Sequence, residues 1–486
     1  MTTNRPNIVY ILADDMGYGD VSCFNEDGKL QTGCLDQLAE EGVVFRHAHA
    51  NSAVCTPTRY GIMTGRYCWR SRLKSGVVFG YTPSLLENDR MTVARFLKKH
   101  GYRTACFGKW HLGIDWAKDG EEEWEVDFTK PVRNGPSDLG FDYYFGISAS
   151  LDMPPYVYLE NDRVTQLPDG ISRNVDSKGY WREGPIAPDF RHVEVLPELT
   201  RRVTEYIHRQ ANNSEPFFLY FPMPAPHTPI LPTERFVGSS NTNAYGDFVL
   251  QVDDTVGSVM RALHESGQSE NTLVIYTSDN GCSPMANFEE LASVGHNPSY
   301  KFRGHKADIF EGGHRIPFIA RWPARIPAGS VSDEIICLTD LMRTCAAIVD
   351  DRLPANAGED SFNILPALVG DDYERPLRPG TVLHSINGSF AIREGNWKLE
   401  MCPGSGGWSE PRPDSDEVVG LPPIQLYDLA ADVGETTNVC DDHPEVVNRL
   451  RAMLIKYIRE GRSTPGETQD NEAVDNWPQL AWMDES

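Results

Sequence analysis

The residues with the strongest chemical character lie in the run Asn51-Ser-Ala-Val-Cys55-Thr-Pro57-Thr-Arg59, which continues to Thr64-Gly65-Arg66. Pro57 suits the first turn of a helix, where a missing N–H leaves no hydrogen bond unmade. Cys55 then stands at the N-terminus of that helix, where free backbone N–H groups and the helix dipole favour an anion. A lone cysteine is most often a structural thiol, but the Cys-x-Pro-x-Arg spacing departs from that pattern. Other polar groups stand just after short apolar runs. Asp14 and Asp15 follow residues 7–12, Lys109 and His111 follow 103–107, His227 follows 217–221, and Asp279 and Asn280 follow 272–277. Each alone reads equally well as turn chemistry. Four such coincidences favour one shared site.

The elements must bring these groups together. The apolar runs are short and bounded by turn residues, which predicts strands buried on both faces; 316–321 is a further one. Helical patterns separate them. Residues 91–100 end at Gly101, a fitting C-terminal stop, and in 247–265 Phe248, Val252, Val256, Val259, Met260 and Leu263 share one stripe. This alternation predicts an α/β fold with a mainly parallel sheet. In open sheets of that kind the ligand crevice lies beyond the carboxyl ends of the strands. The segment 115–200, rich in Pro, Gly, Asp and aromatics, predicts long loops decorating the sheet. A composition change near 370–380 predicts two domains, 1–375 and 376–486. The second is α+β, with strand-like pieces at 381–386 and 390–401 and a helix at 444–460. No internal repeat is visible, and the acidic tail after Arg462 is expected to be loosely held.

In order along the chain, the motifs resemble those of the formylglycine-dependent type I sulfatases, in the arylsulfatase and carbohydrate-sulfatase branch. They are Asp14-Asp15-Met-Gly-Tyr-Gly-Asp20, Cys55-Thr-Pro57-Thr-Arg59, Gly108-Lys109-Trp-His111-Leu-Gly113, Pro226-His227-Thr-Pro229, Ser278-Asp279-Asn280-Gly281 and Lys306 ahead of Glu311-Gly-Gly. Leu426-Tyr-Asp-Leu with Gly434-Glu-Thr-Thr-Asn438 fits as well, so the resemblance covers essentially the whole chain. It implies an alkaline-phosphatase-like sandwich, with a large mainly parallel sheet between helices and a smaller C-terminal α+β domain carrying a short antiparallel sheet.

It also implies a chemistry. A maturation enzyme would convert Cys55 to 3-oxoalanine (Cα-formylglycine), whose hydrate attacks the sulfur of a sulfate ester and then expels sulfate as the aldehyde re-forms. Asp14, Asp15, Asp279 and Asn280, completed by the modified Cys55, would hold one Ca2+, because all-oxygen ligands suit a hard cation. Arg59 and Lys109 would stabilise the aldehyde hydrate and the developing charge. His111 would be the base that regenerates the aldehyde. His227 and Lys306 would bind sulfate and protonate the leaving oxygen. One departure is Thr32-Gly-Cys34-Leu-Asp36, where the family commonly has Thr-Pro-Asn-x-Asp; that stretch leads into a helix and leaves Cys34 unexplained.

The bulk numbers set boundaries. A formal net charge of -25 over 486 residues disfavours nucleic acid and anionic membranes as partners, so any anion site must be a local basic pocket. The cations and histidines named above supply one. The ten cysteines show no disulfide framework, and no stretch approaches the roughly 20 apolar residues of a membrane span. The first residues carry no export-signal pattern, which points to the cytoplasm, or to a periplasmic or secreted protein if a leader has been removed. Two rivals remain: a phosphatase or phosphodiesterase of the same superfamily, which would want a Ser or Thr nucleophile and two zinc ions, and a non-catalytic binder of sulfated glycans, if Cys55 stays a thiol. A sulfated carbohydrate is the first expectation for the substrate and a small aryl sulfate the second. Trp69, Arg72, Lys74 and Trp116 could line a subsite, though core packing is the slightly better reading of both tryptophans. The sequence leaves the oligomeric state open.

Overall fold

Five apolar strands lie parallel and side by side, in the order Thr272–Ser278, Asn7–Ala13, Phe217–Pro222, Arg103–Lys109 and Tyr143–Ile147. Val9 pairs with both Val274 and Leu219, so this strand has neighbours on both edges; its Ile8–Ala13 are buried, as the unbroken apolar run required. The computed structural model describes residues 5–374 and 376–483. Met1–Asn4, read above for an export signal, lie outside the described residues, as do Arg375 at the expected domain boundary and the last three residues.

Among the described residues the sheet has ten strands. On one side it continues antiparallel through Phe318–Arg321 to Val43–His49, and then parallel to Ser330–Cys337. Helices flank it. Ala244–Glu265 is capped by Asn243, whose side chain accepts from the N–H groups of Tyr245 and Gly246, and its stripe Phe248, Val252, Val256, Val259 and Leu263 is buried. Val93–Lys99 is capped by Thr92 and stops before Gly101 at φ 83. Among the described residues no helix is long and apolar enough to cross a membrane.

The expectation of long loops over 115–200 needs correction. Tyr143–Ile147 is a strand of the main sheet, Gly170–Asn174 pairs with Trp181–Ile186, and Val195–Gln210 is an amphipathic helix burying Leu199, Val203, Tyr206 and Ile207. The Pro- and Gly-rich surroundings hid short elements whose apolar faces are supplied by the sheet. The two outer strands Val43–His49 and Ser330–Cys337 were not anticipated either, because their half-buried sequences mix polar and apolar residues.

Beyond residue 380, Thr381–His384, Phe390–Glu394, Trp397–Glu400 and Gln425–Asp428 form an antiparallel meander, covered by the helix Pro444–Arg459. The tail is not loose. Arg462, Ser463 and Thr464 are buried, Arg66 and Arg70 bond Asp470 and Asn471, and Trp477 lies against Trp69 and Phe390. Its polar composition concealed partners distant in sequence.

Candidate active site

The carboxyl ends of the five parallel strands open on one crevice. They deliver Asp279 and Asn280, Asp14 and Asp15, His227, Lys109 and His111, and Ser150 in turn. Cys55 begins the helix Cys55–Thr64, which closes at Gly65 in the left-handed conformation at φ 64. The helix starts where the Pro57 spacing predicted. Lys306 arrives on a loop whose next residue, Ala307, donates its N–H to Ala53 O at 2.8 Å, tying that loop to the Cys55 segment.

The sequence-derived residues meet here. Cys55 Sγ lies 3.6 Å from Asp14 Oδ1, and Lys109 Nζ sits 2.6 Å from Asp14 Oδ2. Arg59 grips Asp279 Oδ2 through Nε at 3.1 Å and Nη2 at 2.8 Å, and donates from Nη1 to Lys109 O. Lys306 Nζ is 2.7 Å from Asp15 Oδ1, and His227 Nε2 is 3.6 Å from Asp15 Oδ2. Asn280 Nδ2 donates to Asp15 Oδ1 at 2.7 Å. His111 donates from Nε2 to Val78 O at 2.9 Å, while its buried Nδ1 has no partner among the described residues. Asp15 and His111 hold φ of 66 and 56, a strained left-handed backbone for side chains of that size.

Burial and neighbouring charge set the protonation. Burial pushes the Cys55 thiol up to about 12 despite Lys109 and Lys306, so it stays protonated and is no ordinary thiolate nucleophile. Asp279 is pushed up to about 7 by burial and by the Asp14 charge. Burial would raise Asp14 as well, but Lys109, His227, Arg59 and Lys306 hold it well below the carboxylate range. Burial, then Lys109 and Arg59, depress His111; burial and Lys306 depress His227, so both imidazoles are neutral at pH 7.

Whether this cluster suits a cation can be judged from its atoms. Three carboxylates face three fixed cations, so the ionised site is neutral and a dication would make it strongly positive, as anion capture needs. Asn280 Oδ1 is buried with no partner among the described residues, an orphaned acceptor beside Asp15. Ligand atoms of Asp14, Asp15, Cys55 and His227 lie within 4.8 Å of one another. The Cys55 thiol and His227 imidazole do not add to the fit. The oxygen donors here, the carboxylates of Asp14, Asp15 and Asp279 (whose Oδ1 accepts from Asp15 N at 3.2 Å) and the free Asn280 Oδ1, fit a hard dication. A second grouping, His49, Glu311 and His314, does not: both nitrogens of each imidazole already have partners in each other, Arg393 and Ile309 O.

Ser150 escaped the sequence reading. Its Oγ accepts from Lys109 Nζ at 3.1 Å and lies 3.2 Å from His227 Nδ1, linking the two. It follows the strand Tyr143–Ile147, in a segment whose composition predicts loops, so the strand-end pattern of the other residues does not reach it. Trp69 and Trp116 are buried in the core, and Arg70 beside Trp69 is bonded to Asp360 at 2.8 Å; they line no subsite here. Cys34 packs against the helix at Gly257, away from this crevice. All ten cysteines are free, seven of them buried.

A family profile described as Sulfatase matches residues 6–350. The chain is 34% identical to an N-acetylgalactosamine-6-O-sulfatase of Bacteroides thetaiotaomicron, over 93% of each protein. It is 30% identical to human arylsulfatase A, over 96% of this chain and 90% of that one. A solved structure described under the metabolism of multiple glycosaminoglycans by Bacteroides thetaiotaomicron superposes with a TM-score of 0.82 at 33% identity, covering 93% of this chain and 99% of the other.

Proposed function

The chain belongs to the sulfatase family, and we propose that it hydrolyses the sulfate ester of a carbohydrate, with a formylglycine made from Cys55 as nucleophile and one Ca2+ at the aspartates. The observation that carries this reading is a protonated, buried cysteine at a helix start, packed on Asp14 within a ring of carboxylates and cations. A thiol in that state has no use as a thiolate. As the precursor of a hydrated aldehyde it supplies the hydroxyl that the reaction needs.

Asp14, Asp15, Asp279 and Asn280 would hold the cation, with the modified Cys55 completing the set. Bound there, Ca2+ supplies Lewis acidity toward the sulfuryl oxygens. The remaining work falls to the protein's own groups. Arg59 and Lys109 hold positive charge against the nucleophile. His111, neutral with a free Nδ1, can take the proton when sulfate is expelled. Lys306 and His227 both flank Asp15, at 2.7 and 3.6 Å, and would bind sulfate and deliver the proton to the leaving oxygen. Ser150 keeps Lys109 and His227 in register.

The relative of 34% identity is named for the 6-O-sulfate of N-acetylgalactosamine, so a hexosamine 6-sulfate is the first substrate to try. The expected result is sulfate release from this sugar, together with a Cys55 peptide lighter than the unmodified sequence. An unaltered Cys55 mass in a fully active enzyme would overturn the mechanism. Release from aryl sulfates but from no sulfated sugar would overturn the substrate class.

A further inference from the structure

Beside His227 and Lys306 the crevice widens into a cavity of about 290 Å³, at the small end of the roughly 300–1,000 Å³ of ligand clefts. That is room for one sugar ring. Its other walls come from four parts of the chain, one of them Ser283, Pro284 and Met285. Asp152 follows Ser150, Tyr180 and Arg182 belong to the hairpin region 170–186, and Trp408 comes from the C-terminal part.

Asp152 is buried, with Oδ2 paired to Arg182 Nη1 and Oδ1 without a partner among the described residues. Arg182 also donates from Nη1 to Asp152 O at 3.2 Å, and its guanidinium lies over the rings of Phe79 and Tyr180, while its Nε and Nη2 have no hydrogen-bond acceptor among the described residues. Thr228, also lining the cavity, keeps a buried Oγ1 without a partner among the described residues. Unpaired buried acceptors beside a half-exposed guanidinium are costly in an empty protein and useful to a polyhydroxylated ligand.

Trp408 is held out deliberately. Asp308 Oδ1 accepts from the N–H groups of Trp408 and Ser409 at 2.7 and 3.0 Å, and Ile309 donates its N–H to Ser405 O at 2.8 Å. Gly407 lies so close that a Cβ there would stand 2.5 Å from Ala307 O. The glycine-rich turn is thus clamped onto the residues that follow Lys306, yet its indole remains 41% exposed. An exposed indole on the rim of a mainly apolar cavity offers a flat face to the C–H side of a sugar.

We propose that this cavity is a one-residue sugar subsite: the Asp152–Arg182 pair reads ring hydroxyls, Trp408 carries the ring face, and the sulfated residue is therefore a chain end. The proposal rests on the carbohydrate reading above. It is tested with wild type, Arg182→Ala, Asp152→Asn and Trp408→Ala, comparing kcat/KM on a hexosamine 6-sulfate with that on 4-nitrophenyl sulfate, whose leaving group has no ring hydroxyls. The sugar-to-aryl ratio should fall at least about tenfold in each variant, mainly through KM, as expected for losing a charge-assisted hydrogen bond or a stacked face. Trp408→Ala touches an exposed side chain, so it reports even if the Asp152 variant misfolds. In oligosaccharides the wild type should release sulfate from the terminal residue and not from internal ones. A ratio within about threefold of wild type, or equal release from internal residues, would overturn the subsite while leaving the carbohydrate reading intact. Inactivity of the wild type on every sulfated sugar would overturn both.

Discussion

Cys55 is buried at 2% exposure, and its Sγ lies 3.6 Å from Asp14 Oδ1. Truncation to alanine therefore removes the proposed nucleophile and little packing. Cys55→Ala should reduce sulfate release below about one-thousandth of wild type. The thermal midpoint should stay within about 4 °C, the shift of roughly 1 kcal/mol in a large domain. Retained turnover would sink the nucleophile assignment. Asp279 carries two duties, as an oxygen beside the proposed cation and as the partner of buried Arg59. Alanine there would strand a buried guanidinium at a cost of roughly 3–5 kcal/mol; asparagine keeps the shape and removes the charge. Asp279→Asn should weaken calcium binding at least about tenfold, because ligand charge tunes such sites. Calorimetric titration of the metal-stripped protein reads this directly, and unchanged affinity would remove Asp279 from the ligand set.

At the scale of elements, the strand Thr381–His384 meets the loop that leads to Cys55: His384 O accepts from Ala53 N at 2.9 Å and from Ser52 Oγ at 3.1 Å. The His384 imidazole is buried against Phe390, and that burial pushes it down to about 3. Between that value and the ordinary 6.5, the unfolded chain binds a proton that the fold does not. Its contribution is thus fully present above about 6.5 and is lost as pH falls, by about 2 kcal/mol at pH 5. His384→Gln should make the loss of unfolding free energy between pH 7 and pH 5 shallower by about that amount, measured by urea unfolding at both values. An identical slope would mean that the imidazole charges within the fold.

At the scale of the molecule, a net charge of -25 contrasts with the cluster of Lys109, Arg59 and Lys306 in the crevice. Lys109, Arg59 and Lys306 act at contact distance, whereas the acidic surface repels over the Debye length, about 30 Å at 0.01 M salt and 10 Å at 0.1 M. Raising the ionic strength across that range should increase kcat/KM for a polysulfated oligosaccharide by several-fold, with a smaller rise for a monosulfated one. Falling values for both would show that the pocket's positive field reaches beyond the crevice and outweighs the surface.

The α/β class, the strands that end in Asp14, Lys109 and Asp279, and the helix that starts at Cys55 were all legible locally. A strand buried on both faces needs an unbroken apolar run, and a helix start needs its proline and caps; both are properties of neighbouring residues. The grouping of polar residues at the strand ends was legible for the same reason, since parallel strands deliver whatever follows them to one edge. Other features depended on partners distant in sequence. Ser150 follows a strand recognisable only by its pairing with Arg103–Lys109. The tail after Arg462 owes its order to Arg66, Arg70 and Trp69, hundreds of residues earlier. Trp69 and Trp408 look alike in sequence, yet one is sealed in the core and the other stands over the cavity. Burial is a property of the assembled surface, so only the tertiary structure could decide which tryptophan is open to the cavity.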